Sequence, residues 1–338
     1  MKKIFITGCC GYIGSHTCVE LLDAGYEIVG LDNFSNSKPV VLERIKKITG
    51  KEITFYEGNM LDKVLLEKIF DENEIEMVID FAAYKSVGDS VSKPVDYYIN
   101  NVSSVLTLLS VMKENGVKSL IFSSSATVYG TPEIVPITEE AKTGGTTNPY
   151  GTSKLFVEQI LQDLYKSDNN WNICIFRYFN PVGAHSSGLI GEEPNGIPAN
   201  LMPFISMVAT KELECLNVFG DNYETKDGTG VRDYIHIVDL AKAHVKGVEK
   251  LNKETKGLFI YNLGTGEGYS VLEMIHAFEK ANNIEIPYKI VDRRPGDIAE
   301  CYADPSKAEK ELDWHANLSL EDMCKDAYTF TKNRKSND

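Results

Sequence analysis

The chain has 338 residues, with 49 Asp and Glu against 35 Lys and Arg, so its formal net charge at pH 7 is −14. This acidic excess predicts repulsion from nucleic acids and from anionic membranes, although a local basic patch could still bind a small phosphate. Hydrophobic residues make up 43% and charged residues 25%, which is ordinary globular usage and excludes a disordered chain.

The first half of the chain alternates short apolar segments with longer segments of helical periodicity. Strands alternating with helices at this spacing indicate βαβ units with right-handed crossovers. We therefore predict an α/β fold built on a doubly wound, Rossmann-type parallel sheet. The predicted strands are Lys3–Thr7, Glu27–Asp32, Ile53–Glu57, Met77–Phe81, Ser119–Ser123 and Asn172–Arg177, and the predicted helices are 12–24, 39–49, 62–71, 94–115 and 149–168.

Beyond Arg177 the regular alternation is lost. Residues 180–200 and 221–234 are rich in glycine and polar residues and are interpreted as long loops, which in compact proteins usually serve function. Helices are predicted near 200–211, 237–250, 270–281 and 319–332, with strands near 216–219 and 258–262. This pattern predicts a Rossmann domain over 1–180 and a smaller C-terminal α/β lobe over 181–338, with about 237–262 returning to the Rossmann core.

The cysteines and the apolar segments bear on the compartment and on metals. Seven cysteines are an odd number without a spaced framework, which predicts free thiols in a reducing cytoplasm. The chain contains no run of 18 apolar residues, so no membrane-spanning helix is predicted. Cys9, Cys10, His16 and Cys18 lack a matching distant pair of ligands, so no metal site is predicted.

Three glycines follow the first predicted strand and precede a helix. Gly8, Gly11 and Gly14 allow a tight turn and a close approach of the backbone to a pyrophosphate, which the helix N-terminus then binds through its N–H groups. No Gly-Lys-Ser/Thr follows, so a nucleoside-triphosphate loop is excluded. Asp32 ends the second strand 21 residues after Gly11, where an acid accepts hydrogen bonds from ribose hydroxyls and repels a 2′-phosphate. The motif predicts NAD, and a purely structural turn is the alternative.

Tyr150 and Lys154 are four residues apart and so share one face of a predicted helix. A phenol is a poor base at pH 7, but a neighbouring ammonium and a nicotinamide cation would lower its pKa. Ser125 lies just beyond the fifth predicted strand, at the carboxyl edge where such sheets bind ligands. We therefore predict a catalytic group of Ser125, Tyr150 and Lys154; an exposed helix pair without function is the alternative.

Together these motifs resemble the extended short-chain dehydrogenase/reductase family. Longer segments are similar to its UDP-hexose 4-epimerases: Phe122–Gly130, Arg177–His185, Gly228–His236 and Tyr261–Gly264, within a resemblance over about 1–330. The resemblance implies that Tyr150 takes the proton of the sugar 4-hydroxyl while C4 gives hydride to a tightly held NAD. The 4-keto sugar then turns over and hydride returns to its other face, which interconverts UDP-glucose and UDP-galactose. It also implies that Lys154 tunes Tyr150, and that Ser125 positions the 4-oxygen.

The resemblance further implies an NAD-binding first domain, a UDP-sugar-binding lobe and a homodimer. The homodimer would form through helices near 94–115 and 149–168. Arginines suit the diphosphate because they bind phosphate oxygens in pairs. Expected cofactor contacts are Gly8, Gly11, Tyr12, Ile13, Gly14, Asp32, Asn33, Asn36, Ser37, Asn59, Met60, Phe81, Ala82, Ala83, Lys85, Asn100, Ser125, Tyr150, Lys154 and Phe179. Expected substrate contacts are Lys85, Ser125, Tyr150, Asn180, Asn200, Leu201, Phe219, Arg232, Arg294, Asp297 and Cys301.

The sequence departs from the family pattern at a few positions. Asn59 stands where an acid usually binds the adenine amino group, and its amide keeps a carbonyl acceptor. Cys9 and Cys10 replace the usual glycine or serine, which suggests sensitivity to oxidants. Cys301 stands where some members carry tyrosine near the sugar 2-substituent, so we predict room for UDP-GlcNAc and UDP-GalNAc; the alternative is a small buried residue.

Two other functions fit parts of the pattern. A nucleotide-sugar 4,6-dehydratase or decarboxylase shares the fold, NAD and the Tyr/Lys pair, but its relatives carry acids just after the strand-end serine, where this chain has Ala126 and Thr127. A non-enzymatic, redox-sensing NAD-binding module is disfavoured by the intact catalytic group.

Overall fold

The structure, a computed structural model, describes residues 3–193, 196, 198, 200–294 and 296–337. Among these, no helix is both long and apolar enough to cross a membrane. The strands are β1 (Lys3–Thr7), β2 (Glu27–Asp32), β3 (Thr54–Glu57), β4 (Ile75–Asp80), β5 (Ser119–Ser125), β6 (Asn172–Tyr178), β7 (Asn180–Val182), β8 (Leu216–Phe219), β9 (Val231–His236), β10 (Gly257–Leu263), β11 (Gly268–Ser270), β12 (Tyr288–Val291) and β13 (Glu300–Cys301).

The helices differ in length from a single turn to five turns. They are α1 (Tyr12–Asp23), α2 (Val40–Thr49), α3 (Lys63–Glu72), α4 (Val87–Ser92), α5 (Pro94–Tyr98), α6 (Ser104–Glu114), α7 (Pro149–Ser167), α8 (Leu201–Ala209), α9 (Ile237–Lys253), α10 (Val271–Asn282), α11 (Ser306–Leu312) and α12 (Leu320–Asn337). A π-helical turn, Ile99–Ser103, joins α5 to α6, and a 3₁₀ turn, Ala126–Tyr129, follows β5.

The first compact unit is built on a seven-stranded sheet of order β10-β6-β5-β4-β1-β2-β3, with parallel pairing from β3 through to β6. The predicted doubly wound Rossmann-type fold is thereby confirmed. The unit comprises Met1–Thr131, Glu139–Tyr178 and Ala241–Tyr261. Its strands carry near-continuous apolar runs because both faces of the sheet are covered by helices.

The second compact unit comprises Pro132–Thr138, Phe179–Leu240 and Asn262–Asp338. In it, β9 pairs in parallel with β7 and β13 and antiparallel with β11, while β8 and β12 form a separate parallel pair. A second apolar core collects side chains of α8, α10 and α12. The assignment of the two units to cofactor and to substrate stays a prediction.

Three expectations about local structure were wrong. The predicted loops 180–200 and 221–234 contain strands β7 and β9, whose polar residues conceal the strand pattern and whose pairing partners are distant in sequence. The predicted single helix 94–115 is interrupted by the π-helical turn at Ile99–Ser103. Single-turn π-helical segments often mark functional sites.

A buried ion pair fixes α7 against the sheet. Arg177 on β6 donates through Nε and Nη2 to the two carboxylate oxygens of Glu158 on α7, at 3.0 and 2.7 Å. Ser124 donates to the same carboxylate, and Arg177 also donates to the Tyr129 hydroxyl at 2.8 Å. Both charged side chains are almost fully buried, so their orientation depends on this complete set of partners.

Candidate active site

The turn after β1 has no room for a side chain at Gly8 or at Gly14. A Cβ on Gly14 would lie 2.1 Å from the Gly8 carbonyl oxygen, and a Cβ on Gly8 would lie 3.0 Å from the Ala82 amide nitrogen. Gly8 also has a φ of +65°, which favours glycine. Gly11 precedes α1 without a side-chain cap, and Tyr12 and Ile13 begin the helix. The backbone of this turn is therefore packed too closely for side chains at Gly8 and Gly14, and it leads directly into the N-terminus of α1, which is the predicted pyrophosphate contact.

Asp32 is held in a defined orientation at the end of β2. Its carboxylate accepts hydrogen bonds from the amides of Cys10 and Phe34, both at 2.9 Å, and from the Ser37 hydroxyl at 2.7 Å. The structure thus brings together two predicted ribose contacts, Asp32 and Ser37. Asn33 accepts from the Ser35 amide at 3.0 Å, and Asn36 is exposed nearby.

The loop after β4 is tied to β1 by a hydroxyl. Thr7 donates to Asp80 at 2.6 Å and accepts from the amides of Phe81 and Ala82 at 3.1 and 3.2 Å. Burial raises the pKa of Asp80. Ala83 follows in the loop, and the Lys85 ammonium lies 5.8 Å from the centre of the Tyr12 ring. This loop therefore places several predicted cofactor contacts beside the glycine turn.

Two predicted cofactor contacts, Asn59 and Met60, lie after β3. The Asn59 side-chain oxygen accepts from the Leu61 amide at 2.9 Å. Met60 is buried in the apolar core, so only its backbone is placed to meet a cofactor.

Asn101 was missed by the sequence analysis. Its buried amide group accepts from the Tyr84 amide at 2.8 Å and donates to the Tyr84 carbonyl and to Ser153 at 2.9 and 3.0 Å. It therefore joins the loop after β4, the π-helical turn and α7. The neighbouring Asn100, a predicted cofactor contact, donates to Asn101 at 3.0 Å. The local sequence pattern does not distinguish Asn101 from Asn100. Their different roles become visible only in the structure, where the helix is interrupted by the π-helical turn.

Tyr150 lies one residue into α7, and its hydroxyl hydrogen bonds to Ser125. Burial raises the pKa of Tyr150, and the Ser125 hydrogen bond opposes this effect. Thr127 donates its amide to Ser125 at 3.3 Å, which orients the serine at the end of β5. The predicted serine and tyrosine are therefore adjacent in the structure.

Lys154 is buried one turn further along α7. Its ammonium donates to the Ser123 carbonyl at 2.7 Å and lies 4.9 Å from the centre of the Phe122 ring. Burial lowers its pKa to about 8, against opposing effects of Asp80 and Glu158. The sequence analysis expected Lys154 to act on Tyr150; here its described hydrogen bonds go to Ser123.

A second buried pair, not foreseen from the sequence, lies beside these residues. The Tyr178 hydroxyl and His244 Nε2 are 2.6 Å apart. Burial raises the pKa of Tyr178 well above its usual value, and the hydrogen bond to Ser123 opposes this. The centre of the His244 ring lies 4.9 Å from that of the Phe81 ring, so this pair packs against a predicted cofactor contact.

The second unit gathers most predicted substrate contacts. The Arg294 guanidinium lies 4.7 Å from the centre of the Phe219 ring and donates to Asp297 at 2.9 Å. Arg232 on β9 pairs in register with Cys301 on β13. Burial raises the pKa of Tyr234 to about 12, and the charges of Arg232 and Arg294 oppose this. Burial also raises the pKa of Cys301, to about 11.

Other predicted contacts of this unit are placed less closely together. Asn200 precedes α8, which starts at Leu201, and donates to Glu192 at 2.8 Å. Asn180 on β7 pairs with Tyr234. The buried Phe179 donates its amide to the Leu263 carbonyl at 3.1 Å. Asp233, missed by the sequence analysis, accepts from Thr265, Gly266 and Ala303 and so fixes the strands that carry Arg232 and Cys301.

Comparisons with known proteins agree over nearly the whole chain. Residues 5–327 match a family model described as GDP-mannose 4,6 dehydratase. A Haemophilus influenzae protein named UDP-glucose 4-epimerase is 62% identical over 330 residues, which are 98% of this chain and 97% of that protein. Two solved structures are similar: UDP-glucose 4-epimerase of Bifidobacterium longum with NAD⁺ and UDP (57% identity, 99% of each chain, TM-score 0.96) and that of Stenotrophomonas maltophila with NAD and formylated UDP-arabinopyranose (46%, 100% of each chain, 0.98).

We predict that Lys154→Met changes how stability depends on pH. Because burial lowers the pKa of Lys154 from 10.5 to about 8, the unfolded chain binds more protons between these values, so this lysine makes stability rise with pH there, by ~3 kcal/mol in total. The variant lacks this contribution. Urea unfolding of both proteins across this pH range should show the free energy of unfolding of the unmodified protein rising relative to that of the variant, and parallel profiles would contradict the lowered pKa.

Proposed function

This chain belongs to the UDP-glucose 4-epimerase family of extended short-chain dehydrogenases/reductases, and we propose that it interconverts UDP-glucose and UDP-galactose with a tightly held NAD. The observation that carries the proposal is the grouping of Ser125, Tyr150 and the buried Lys154 in the same unit as a turn that has no room for side chains at Gly8 and Gly14.

The cofactor site follows from the contacts of the first unit. The turn at Gly8, Gly11 and Gly14 would hold the pyrophosphate through backbone N–H groups, and Asp32 with Ser37 would hold the adenosine ribose. NAD, when bound, supplies the acceptor for hydride from C4 of the sugar and returns it after the sugar has turned over. The loop fixed by Thr7 and Asp80 would line the cofactor with Phe81 and Ala82.

Proton transfer is assigned to Tyr150. Because burial raises its pKa, the phenol keeps its proton until a positive charge lies nearby. That charge would come from the nicotinamide cation, and the Lys154 ammonium, which its hydrogen bond to the Ser123 carbonyl holds close to the strand end that carries Ser125, would add to it. Tyr150 would then take the proton of the 4-hydroxyl, with Ser125 orienting that oxygen, and give it back in the reverse step.

The second unit is assigned to the nucleotide end of the substrate. Arg232 and Arg294 are the cations available to a diphosphate, and Phe219, against which Arg294 stacks, offers an aromatic face to uracil. Asp297, already held by Arg294, would meet the uridine ribose. A firm hold on the UDP lets the sugar end alone turn over during the reaction.

A dehydratase reaction is the second candidate, because the matching family model carries that description. Such a reaction needs acids that remove the C5 proton and protonate the leaving hydroxyl. Ser125 is followed by Ala126 and Thr127 in the 3₁₀ turn, where no carboxylate stands. The epimerase assignment is therefore favoured.

We also infer a reducing, cytoplasmic location. All seven cysteines are free thiols, and even the sulfur atoms of the adjacent Cys9 and Cys10 lie 3.8 Å apart. Unpaired thiols in this number suit a compartment that keeps cysteines reduced.

Replacing Tyr150 tests the reaction. Purified protein should convert UDP-galactose to UDP-glucose without added NAD, and Tyr150→Phe should lower the rate by about 10²–10⁴-fold because it removes the proton acceptor. The variant should still contain NAD after gel filtration. Tyr165→Phe on the same helix is the matched control and should keep full activity. Conversion by the phenylalanine variant at the original rate would refute the role of Tyr150, and no conversion by the unmodified protein would refute the function.

We propose that UDP-GlcNAc and UDP-GalNAc are also substrates, because Cys301 leaves more room beside Arg232 than a phenol would. Cys301→Tyr should lower conversion of UDP-GalNAc by about 10–200-fold more than that of UDP-galactose. Cys301→Ser, which keeps the size of the side chain, should convert both. The two rates are compared by separating the nucleotide sugars chromatographically; an equal loss on both substrates would contradict the proposal.

We further propose a homodimer formed by α4, α5, α6 and α7. Six apolar side chains on these helices and on the π-helical turn between α5 and α6 are between 46% and 66% exposed, and the rings of Tyr98 and Phe156 stack there at 5.8 Å. A second copy would cover this surface. The six are Val87, Val91, Val95, Ile99, Leu106 and Phe156.

Sedimentation velocity tests the homodimer. The unmodified protein should sediment with twice the chain mass, and the double variant Val95→Glu/Phe156→Glu as the single chain. Val64→Glu introduces the same charge at the exposed valine of α3 and should leave the dimer intact. A dimer that survives the double substitution would place the interface elsewhere.

A further inference from the structure

Three donor atoms converge behind the glycine turn. The sulfur atoms of Cys9 and Cys10 and a carboxylate oxygen of Asp32 all lie within 4.8 Å of one another, and all three residues are buried. The two sulfur atoms are 3.8 Å apart. No step of the proposed reaction uses either thiol.

The fold itself produces this cluster. Cys9 and Cys10 follow β1, and Asp32 ends the parallel neighbour β2, so the two strand ends lie side by side. The Cys10 amide donates to Asp32 at 2.9 Å and fixes the carboxylate next to the thiols. Gly30 leaves space for the Cys9 thiol, because a Cβ at position 30 would lie 2.6 Å from the Cys9 sulfur. Spacing within the sequence could not show this site, because Asp32 is 22 residues from Cys10.

The separation of the two sulfur atoms fits a metal ion. Zinc–thiolate bonds of about 2.3 Å in tetrahedral geometry place two sulfur ligands about 3.8 Å apart, which is the distance found here. Two sulfur donors with one carboxylate favour a thiophilic divalent cation over magnesium or calcium, which take oxygen ligands. The two sulfur atoms are therefore already separated by the length of one edge of such a tetrahedron.

We propose that Cys9, Cys10 and Asp32 form a binding site for a thiophilic divalent cation such as Zn²⁺, with water as the fourth ligand. Binding forms two metal–sulfur bonds and one metal–oxygen bond. The two thiols lose their protons to the solvent, and no electron is transferred.

The site has a consequence that rests on the proposed function. Asp32 is the acid assigned to the adenosine ribose, and a carboxylate that ligates a cation no longer offers the same lone pairs to ribose hydroxyls. The cation and NAD therefore compete, and rising concentrations of the free cation release the cofactor. The cysteines that replace glycine or serine in this turn make the competition a property of this chain.

Cobalt binding tests the site without any measurement of activity. Co²⁺ is added to the protein as purified, under argon, and thiolate-to-cobalt charge-transfer absorption is recorded. We expect one equivalent of Co²⁺ with two thiolate ligands, displaced by one equivalent of Zn²⁺. Cys10→Ser should halve the absorption per bound Co²⁺ and Cys9→Ser/Cys10→Ser should abolish it. Cys215→Ser, a substitution of a more accessible thiol, should leave it unchanged.

Two outcomes would overturn the proposed cation site. One is the absence of charge-transfer absorption in the unmodified protein at saturating Co²⁺, and the other is full absorption in the double variant. Cys10→Ser serves as the measurement if the double variant fails to fold, and undiminished absorption there has the same meaning.

NAD release is measured separately by ultrafiltration of the same samples. Zn²⁺ should lower retained NAD at least tenfold in the unmodified protein and leave it unchanged in Cys9→Ser/Cys10→Ser. Cation binding without release would overturn the competition and leave the site standing. Protein that contains no NAD before Zn²⁺ is added would instead count against the proposed function, whereas the cobalt result is independent of it.

Discussion

The first unit depends on one constraint, the close packing of main-chain atoms at the carboxyl end of β1 against those of the loop after β4. Gly8, Gly14 and Ala82 approach so closely that a single Cβ would collide with main-chain atoms. Side chains can be rearranged to relieve crowding, but main-chain atoms of a packed sheet cannot. The turn therefore has one conformation, and that conformation determines where α1 begins and where its N–H groups point.

The same strand end orders its neighbours through hydrogen bonds. Thr7 holds the loop after β4, and Asp32 holds the turn itself through the Cys10 amide. On the other side of the sheet, the buried pair of Arg177 and Glu158 fixes α7 and thereby Tyr150 and Lys154. Buried charges contribute little net stability, because desolvation offsets much of their attraction. Their effect here is to specify one orientation of the helix that carries Tyr150 and Lys154.

Different parts of this structure differ in how far the sequence predicts them. β1 and β2 were predicted at their observed bounds because buried parallel strands are apolar along their whole length. β9 was missed because Arg232 and Asp233 interrupt its apolar pattern. Its pairing partners β7, β11 and β13 lie elsewhere in the sequence, so local spacing does not reveal them. Asn101 and the cluster at Asp32 were missed for the same reason: their partners are distant in sequence and are brought together by the fold, through helix and loop packing for Asn101 and through adjacent strand ends for Asp32. The glycine turn and the Tyr/Lys pair were found because each is local, within one turn or one helix.

Burial acts on Tyr150 and Lys154 in opposite directions, since it raises the pKa of the phenol and lowers that of the ammonium. Each shift disfavours the charged form. Lys154 keeps its charge at neutral pH because a pKa of about 8 still favours the ammonium, with Asp80 and Glu158 opposing the burial. Tyr150 has only the Ser125 hydrogen bond on its side. In the proposed reaction the Tyr150 phenolate therefore needs a further positive charge, which a dinucleotide in its oxidised form would bring. Proton abstraction by Tyr150 would then be confined to the state in which hydride also has an acceptor.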